Sequence, residues 1–245
     1  DDYYKLYING QYVCQGPADA YYMHYNYNEY DVSDFLTEGE NVVCIHTYYH
    51  GLTHRQYTSA DLRQGLWLNL FVEDNLILKT DESWKCIVDP SFEEDAEVFG
   101  YNTQFVENID MTKSLAGWMS LDYNDEFWED ACLCDQGHKL VDKPVKSVVR
   151  YEVFPREISF FGKNNFLLDF GKEIVGCVRF NGIGKKGTRL RVLCGEELVD
   201  TGHVRYDMRC NVLYEDNWTL SGNTETIENF AYKGFRYLEV ETEGD

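Results

Sequence analysis

Three histidines, His46, His50 and His54, recur every four residues, and on a helix that spacing would align three imidazoles as metal ligands. The surrounding residues do not read as helix. His46 falls in an alternating β-type run and Gly51 interrupts any helical turn between His50 and His54, so ordinary hydrogen-bonded or solvent-facing histidines are expected. Cys132-Leu133-Cys134 lacks the spacing of a zinc site and has no second cysteine pair at matching distance, so it reads as a strand alternating about Leu133. No metal is predicted. No Gly-x-Ser-x-Gly segment supplies an activated serine, and the glycines form no phosphate-cradling loop, so no nucleophile and no cofactor are expected.

Aromatic side chains are a more promising feature. Tyr21, Tyr22, His24, Tyr25 and Tyr27 crowd a segment read as loop, and Tyr48, Tyr49 and His50 close a predicted strand. Rings carried on loops stack on the apolar faces of sugars while their polar tips bond hydroxyls. These eight residues are the candidate carbohydrate contacts. The competing reading is that alternate tyrosines cover their own domain or pack on a neighbouring one. Among the 43 acidic residues, Glu196-Glu197 and Asp207 are the pair and single acid considered for acid–base work. On so acidic a chain they read as solvated or turn residues.

The elements that must position these groups are strands. Tyr3-Tyr4-Lys5-Leu6-Tyr7-Ile8 ends at Asn9-Gly10 and resumes at Gln11-Tyr12-Val13-Cys14, a strong hairpin signal. Because the hairpin starts almost at the first residue, strands preceding it are expected upstream. Residues 41–49 and 66–72 read as core strands, with Leu66, Leu68, Leu70 and Val72 on one face by the two-residue period. Residues 92–131 read as acidic loop, with Trp128 packing into the core, and residues 135–144 as a connector. Beyond a boundary placed near residue 150, residues 166–170, 176–180, 189–194, 212–220 and 236–241 alternate again, as in a β-sandwich. The fold class expected is all-β, with one domain over residues 1–150 and a second over 151–245.

Length and composition agree with two domains: 245 residues, 44% hydrophobic and 16% aromatic, are ample to bury a core. A net charge of −21 repels phosphate backbones and anionic lipid surfaces, so neither nucleic acid nor membrane is an expected partner. No apolar run is long enough to span a bilayer. The eight cysteines are read as reduced, with several inside strands, and the setting as cytoplasmic. A chain exported with its leader removed would look the same.

Two motif groups carry a family resemblance. Leu6-Tyr7-Ile8-Asn9-Gly10, Gly16, Tyr30-Asp31-Val32-Ser33-Asp34-Phe35-Leu36 and Gly39-Glu40-Asn41-Val42-Val43 resemble the jelly-roll, galactose-binding-like domain that precedes the catalytic domain of many glycosidases. Leu168-Asp169-Phe170-Gly171-Lys172-Glu173, Val175-Gly176, Gly187-Thr188, Trp218-Thr219-Leu220-Ser221-Gly222 and Tyr232-Lys233-Gly234-Phe235-Arg236-Tyr237-Leu238-Glu239-Val240 resemble the sandwich domain placed before the barrel of bacterial α-L-rhamnosidases. The resemblance covers both halves in the family's order. It implies an (α/α)6 barrel downstream, carrying the acid and base for cleavage of terminal α-L-rhamnose, and no catalytic residue within these 245 positions.

The expected function is therefore that of a non-catalytic accessory region whose partner is its own downstream catalytic domain. A carbohydrate-binding module for rhamnose-containing glycans and a structural or adhesion β-sandwich protein are the alternatives. An unpaired front edge would also template self-association into a homo-oligomer.

Overall fold

A computed structural model of the chain describes residues 2–18, 20, 24–52, 62–134, 137 and 139–243. The described residues form strands and three short 3-10 turns, Ser33–Phe35, Met111–Lys113 and Arg209–Asn211, with no α-helix among them. The all-β class expected from the alternating patterns is the class observed. The chain forms two compact units, Asp1–Val88 with Ala116–Val149, and Asp89–Leu115 with Arg150–Asp245. Residues 89–115, expected within the first domain, thus belong to the second unit.

In the first unit the strand Tyr3–Ile8 lies between Gln11–Gly16 and Val43–Tyr48, antiparallel to both. Leu6, Ile8 and Cys14 are buried on one face of this sheet, and Cys44, paired with Tyr7, is buried on the other. Asn9 and Gly10 both have positive φ, 51° and 75°, the backbone demanded by a type I′ hairpin turn. Asn9 does more than turn the chain. Its amide donates to Phe35 O at 2.9 Å and Asn41 Oδ1 at 2.8 Å, and its Oδ1 accepts from Val42 N at 3.0 Å. Asp31 accepts from the Ser33 backbone N–H at 3.0 Å at the entry to the Ser33–Phe35 turn, the local bond by which aspartates favour turns. Trp118 meets this sheet edge-on through Tyr7 and His46.

Three expectations for this unit are corrected. The strand within 66–72 is only Asn69–Val72, paired with Asn75–Lys79 in an isolated ribbon. Val72 is 47% exposed and Leu66, Leu68 and Leu70 are half-buried, because a two-stranded ribbon has no second layer to bury a face. The connector 135–144 contains a strand, Lys139–Asp142, which pairs in parallel with His24–Tyr27. Trp128 is half-buried against Tyr123, ring centroids 5.7 Å apart, rather than in the core.

The second unit is built on a six-stranded sheet in the order Ile109–Asp110, Glu215–Thr219, Arg189–Gly195, Lys233–Glu243, Asn165–Gly176, Glu157–Phe160. All pairings are antiparallel except the first. Leu190, Val192 and Cys194 alternate along one face and pack with Trp218, Phe235 and Leu238 into one buried cluster. On the opposite face Arg191 bonds Glu215, Glu241 and the Tyr206 hydroxyl. The Leu168-Asp169-Phe170-Gly171 motif makes a bulge, since the pairing register with Lys233–Glu243 shifts between Asp169 and Ile174. Gly171 sits there at φ 74°, which a side chain would strain. Asp169 grips Arg236 through two bonds of 2.9 and 2.8 Å, so the two motifs of this half are one structural device.

Candidate functional site

The tyrosine segment divides between described and undescribed residues: Tyr21, Tyr22 and also His54 lie outside the described ones. His24, Tyr25 and Tyr27 lie on the short strand His24–Tyr27, with His24 exposed and the two tyrosines half-buried. The Tyr27 hydroxyl bonds Asp142 on the parallel partner strand, whose charge raises the phenol above its ordinary value. The described part of the segment, His24–Tyr27, is therefore strand rather than loop. Nearby in sequence, Asn28 donates to the half-buried Tyr4 hydroxyl at 2.6 Å, and desolvation pushes that phenol up to about 12.

The other candidates behave differently. Tyr48 ends its strand and His50 is only 6% exposed. The imidazole packs edge-on against Tyr3 and Tyr48, with centroids 5.6 and 4.8 Å apart, and its backbone N–H donates to Asp2. The Tyr49 ring lies over Gly51, where a Cβ would approach it to 3.2 Å. His50 thus serves as interior packing and offers almost no surface to a ligand, whereas His24, Tyr25 and Tyr27 retain some. Glu196, Glu197 and Asp207 are exposed, with Glu197 paired to Arg205. Among the described residues no group of three or more His, Cys, Asp or Glu side chains is arranged to hold a metal.

An open groove of about 600 Å3 in the first unit went unread in the sequence. It is lined by Trp67, Asn69, Lys79, Asp81, Ser83 and Leu133. Trp67 is 42% exposed, and an ammonium, a carboxylate, an amide and a hydroxyl surround it. The dispersal of these residues over nearly seventy positions left no local motif to find.

Three carboxylates of the second unit are more deeply placed than any the sequence singled out. Glu107 accepts from the backbone N–H groups of Phe230 and Ala231 at 2.7 and 2.8 Å, while its own N–H donates to Asp216 Oδ1 at 2.9 Å. Asp216 also accepts from Asn229 Nδ2 at 3.0 Å and from the Lys233 ammonium. All four side chains are almost wholly buried. Burial, and then the Asp216 charge, raise the Glu107 carboxyl above the usual range. For Lys233, burial pulls downward, but Asp216 and its neighbours outweigh it and hold the amine above its ordinary value. The third deep carboxylate is Glu239, which accepts from Val204 N at 2.9 Å and Asn165 Nδ2 at 2.7 Å and contacts His203 Nδ1. Burial pushes Glu239 up, yet these partners more than reverse it. Its histidine stacks on Phe161 at 4.4 Å.

Comparison with known proteins divides the sequence near residue 150, with residues 89–115 inside the first match. Residues 2–152 match the family described as Alpha-L-rhamnosidase N-terminal domain, and residues 161–245 the one described as Bacterial alpha-L-rhamnosidase concanavalin-like domain. An α-L-rhamnosidase of Streptomyces avermitilis is 33% identical over 141 residues, covering 55% of this chain and 14% of that protein. One from Formosa agariphila is 23% identical over 266 residues, covering 97% of this chain and 27% of its own length. In structure, the α-L-rhamnosidase of Dictyoglumus thermophilum superposes with a TM-score of 0.72 at 22% identity, over 97% of this chain and 27% of that one. That likeness shows the fold. The chain spans about a quarter or less of the length of the relatives it matches.

Proposed function

Since the chain belongs to the bacterial α-L-rhamnosidase family, we propose that it is the non-catalytic support of a glycoside hydrolase acting on terminal α-L-rhamnose. The observation that supports this reading is the extent of the match: the two parts of the chain align with the N-terminal and concanavalin-like domain families, and nearly three quarters of the Formosa relative lies outside the aligned part. The deep carboxylates favour it as well. Glycoside hydrolysis places two carboxyl groups across a sugar-sized gap, one of them kept protonated. Glu107 and Asp216 are instead enclosed by Trp218, Phe230 and the backbone of Ala231, where no sugar ring reaches.

The second unit also presents an apolar edge suited to a covering domain. Glu157–Phe160 is the outer strand of the six-stranded sheet, with Ile158 52% and Phe160 66% exposed. Phe154 and Tyr151 extend the same bare stretch of chain. Edge strands of this kind are usually covered or charged. The test is hydrolysis of an aryl α-L-rhamnoside by this chain alone and by the whole protein that contains it. No turnover by the chain and full turnover by the whole protein is the expected pair of results. Activity of the chain that persists through repurification overturns the proposal.

Carbohydrate contact is a second reading, favoured by the groove around Trp67, which combines an exposed indole face with hydroxyl, amide and charged groups. His24, Tyr25 and Tyr27 are the tyrosine-segment residues that remain available to the same role. Titration calorimetry with rhamnose at millimolar concentration tests it, and a heat abolished by Trp67→Ala is the result expected.

A further inference from the structure

We propose that Lys233 and Asp216 become joined by an amide bond between their side chains, a covalent cross-link between the second unit's strands Glu215–Thr219 and Lys233–Glu243, with Glu107 relaying the protons. The two strands flank Arg189–Gly195 on opposite sides, so the link would span the central strand of the sheet. It is a further property of this chain and stands apart from the reading of its function.

The geometry supplies what the condensation needs. The Lys233 nitrogen is in hydrogen-bond contact with Asp216 Oδ2, and the other carboxylate oxygen, Oδ1, accepts the Glu107 backbone N–H. The electrophilic carbon therefore has one oxygen polarised by a backbone donor and the other in reach of a proton source. Asp216 is 0% and Lys233 2% exposed, beside Trp218, Cys194 and the Tyr214 ring, which lies 5.8 Å from the ammonium. A desolvated lysine is an effective nucleophile once neutral, and an enclosed apolar site disfavours the ion pair relative to an uncharged product.

The step balances within the cluster. The ammonium passes one proton to Oδ2, leaving a neutral amine and a neutral carboxylic acid. The Nζ lone pair attacks Cγ, a new C–N bond forms, and Glu107 takes a proton from nitrogen and delivers it to the departing Oδ2 hydroxyl. The Cγ–Oδ2 bond breaks and one water leaves. No oxidant, metal or cofactor takes part. Glu107 is placed for the relay because its backbone N–H is bonded to Asp216 Oδ1 and its carboxylate is held by the N–H groups of Phe230 and Ala231, three and two residues before Lys233; burial and the Asp216 charge also raise that carboxyl, which favours its holding a proton. In the product the carbonyl oxygen keeps the Glu107 backbone donor.

Intact-mass measurement of the purified, denatured chain tests this directly, and a mass lower than that of the sequence by one water is expected. Trypsin should then fail to cut after Lys233 and leave residues 210–236 as a single peptide, also one water lighter. Cleavage after glutamates should leave residues 216–225 and 229–239 as one branched species, which places the lost water between those segments. Full mass with a free 210–233 tryptic peptide overturns the proposal, whether or not any variant folds. Glu107→Gln should leave most of the chain unlinked, and Lys233→Met all of it. A Glu107→Gln chain linked as completely as the parent removes the relay from the mechanism.

Discussion

His203 Nδ1 lies 2.7 Å from Glu239 Oε1, so a half-exposed imidazole is fastened to a carboxylate that is itself 1% exposed. The folded state holds that carboxyl below the ordinary glutamate value of 4.5. A group lowered on folding contributes stability that is complete above its unfolded value and lost as pH falls through the folded one. Urea midpoints should therefore drop as pH is taken below about 4.5. Glu239→Gln should flatten that part of the profile and lower stability at neutral pH by about 1–3 kcal/mol, because an amide NH2 then faces donors. An unchanged acid limb in the variant would show that Glu239 is not the group responsible.

Trp218 is 1% exposed and its indole N–H donates to Glu107 O at 3.2 Å. Trp218→Ala should cost about 3–5 kcal/mol in denaturant unfolding. Trp218→Phe keeps much of the packing and should cost distinctly less. Equal losses in the two variants would mean that the packing account is wrong.

Asn9 combines a positive φ with three hydrogen bonds to the segment 35–42. Asn9→Gly keeps the turn and removes the bonds, whereas Asn9→Ala removes both. Losses of about 1–2 kcal/mol for glycine and more for alanine are expected, read from thermal or urea unfolding. The reverse order would show that backbone strain is not the larger element.

All eight cysteines are free thiols, and their burial sorts them. Cys86, Cys132, Cys134 and Cys210 are exposed and should react with an aryl disulfide reagent in the folded protein. Cys14, Cys44 and Cys194 are buried, which raises the first two thiols to about 11 and the third to about 12. They should react only after denaturant is added, since the thiolate is the reacting species. Rapid native labelling of Cys194 would contradict the enclosed core.

The parts of this fold legible in the sequence are those whose cause is local. Asn9-Gly10 fixes its hairpin within two residues, and the alternation over 189–194 appears as the buried row Leu190, Val192 and Cys194. The strand Lys139–Asp142 was hidden because its reason for being extended is His24–Tyr27, more than a hundred residues earlier. Leu70 and Val72 look like core residues, yet burial depends on a covering layer that no local pattern records. The candidate sites divide in the same way. Tyr25 and Tyr27 stand out as aromatics, while Glu107 and Asp216 are two acids among 43, and only the arrival of Ala231 N and Lys233 from the far end of the chain sets them apart.

The interleaving of the two units has a consequence for how the chain is made. Ile109 pairs with Trp218, a partner that leaves the ribosome more than a hundred residues later. At ordinary elongation rates that interval is on the order of 5–20 s. Throughout it, residues 89–115 wait with Phe92, Phe99 and Glu107 uncovered, since the groups that bury them, Phe230, Tyr214 and Ala231, are not yet synthesised. The nascent chain therefore passes through a stage with a finished hairpin over residues 3–16 and a sticky, unpartnered stretch at 89–115, the stage at which a holding chaperone would decide its yield.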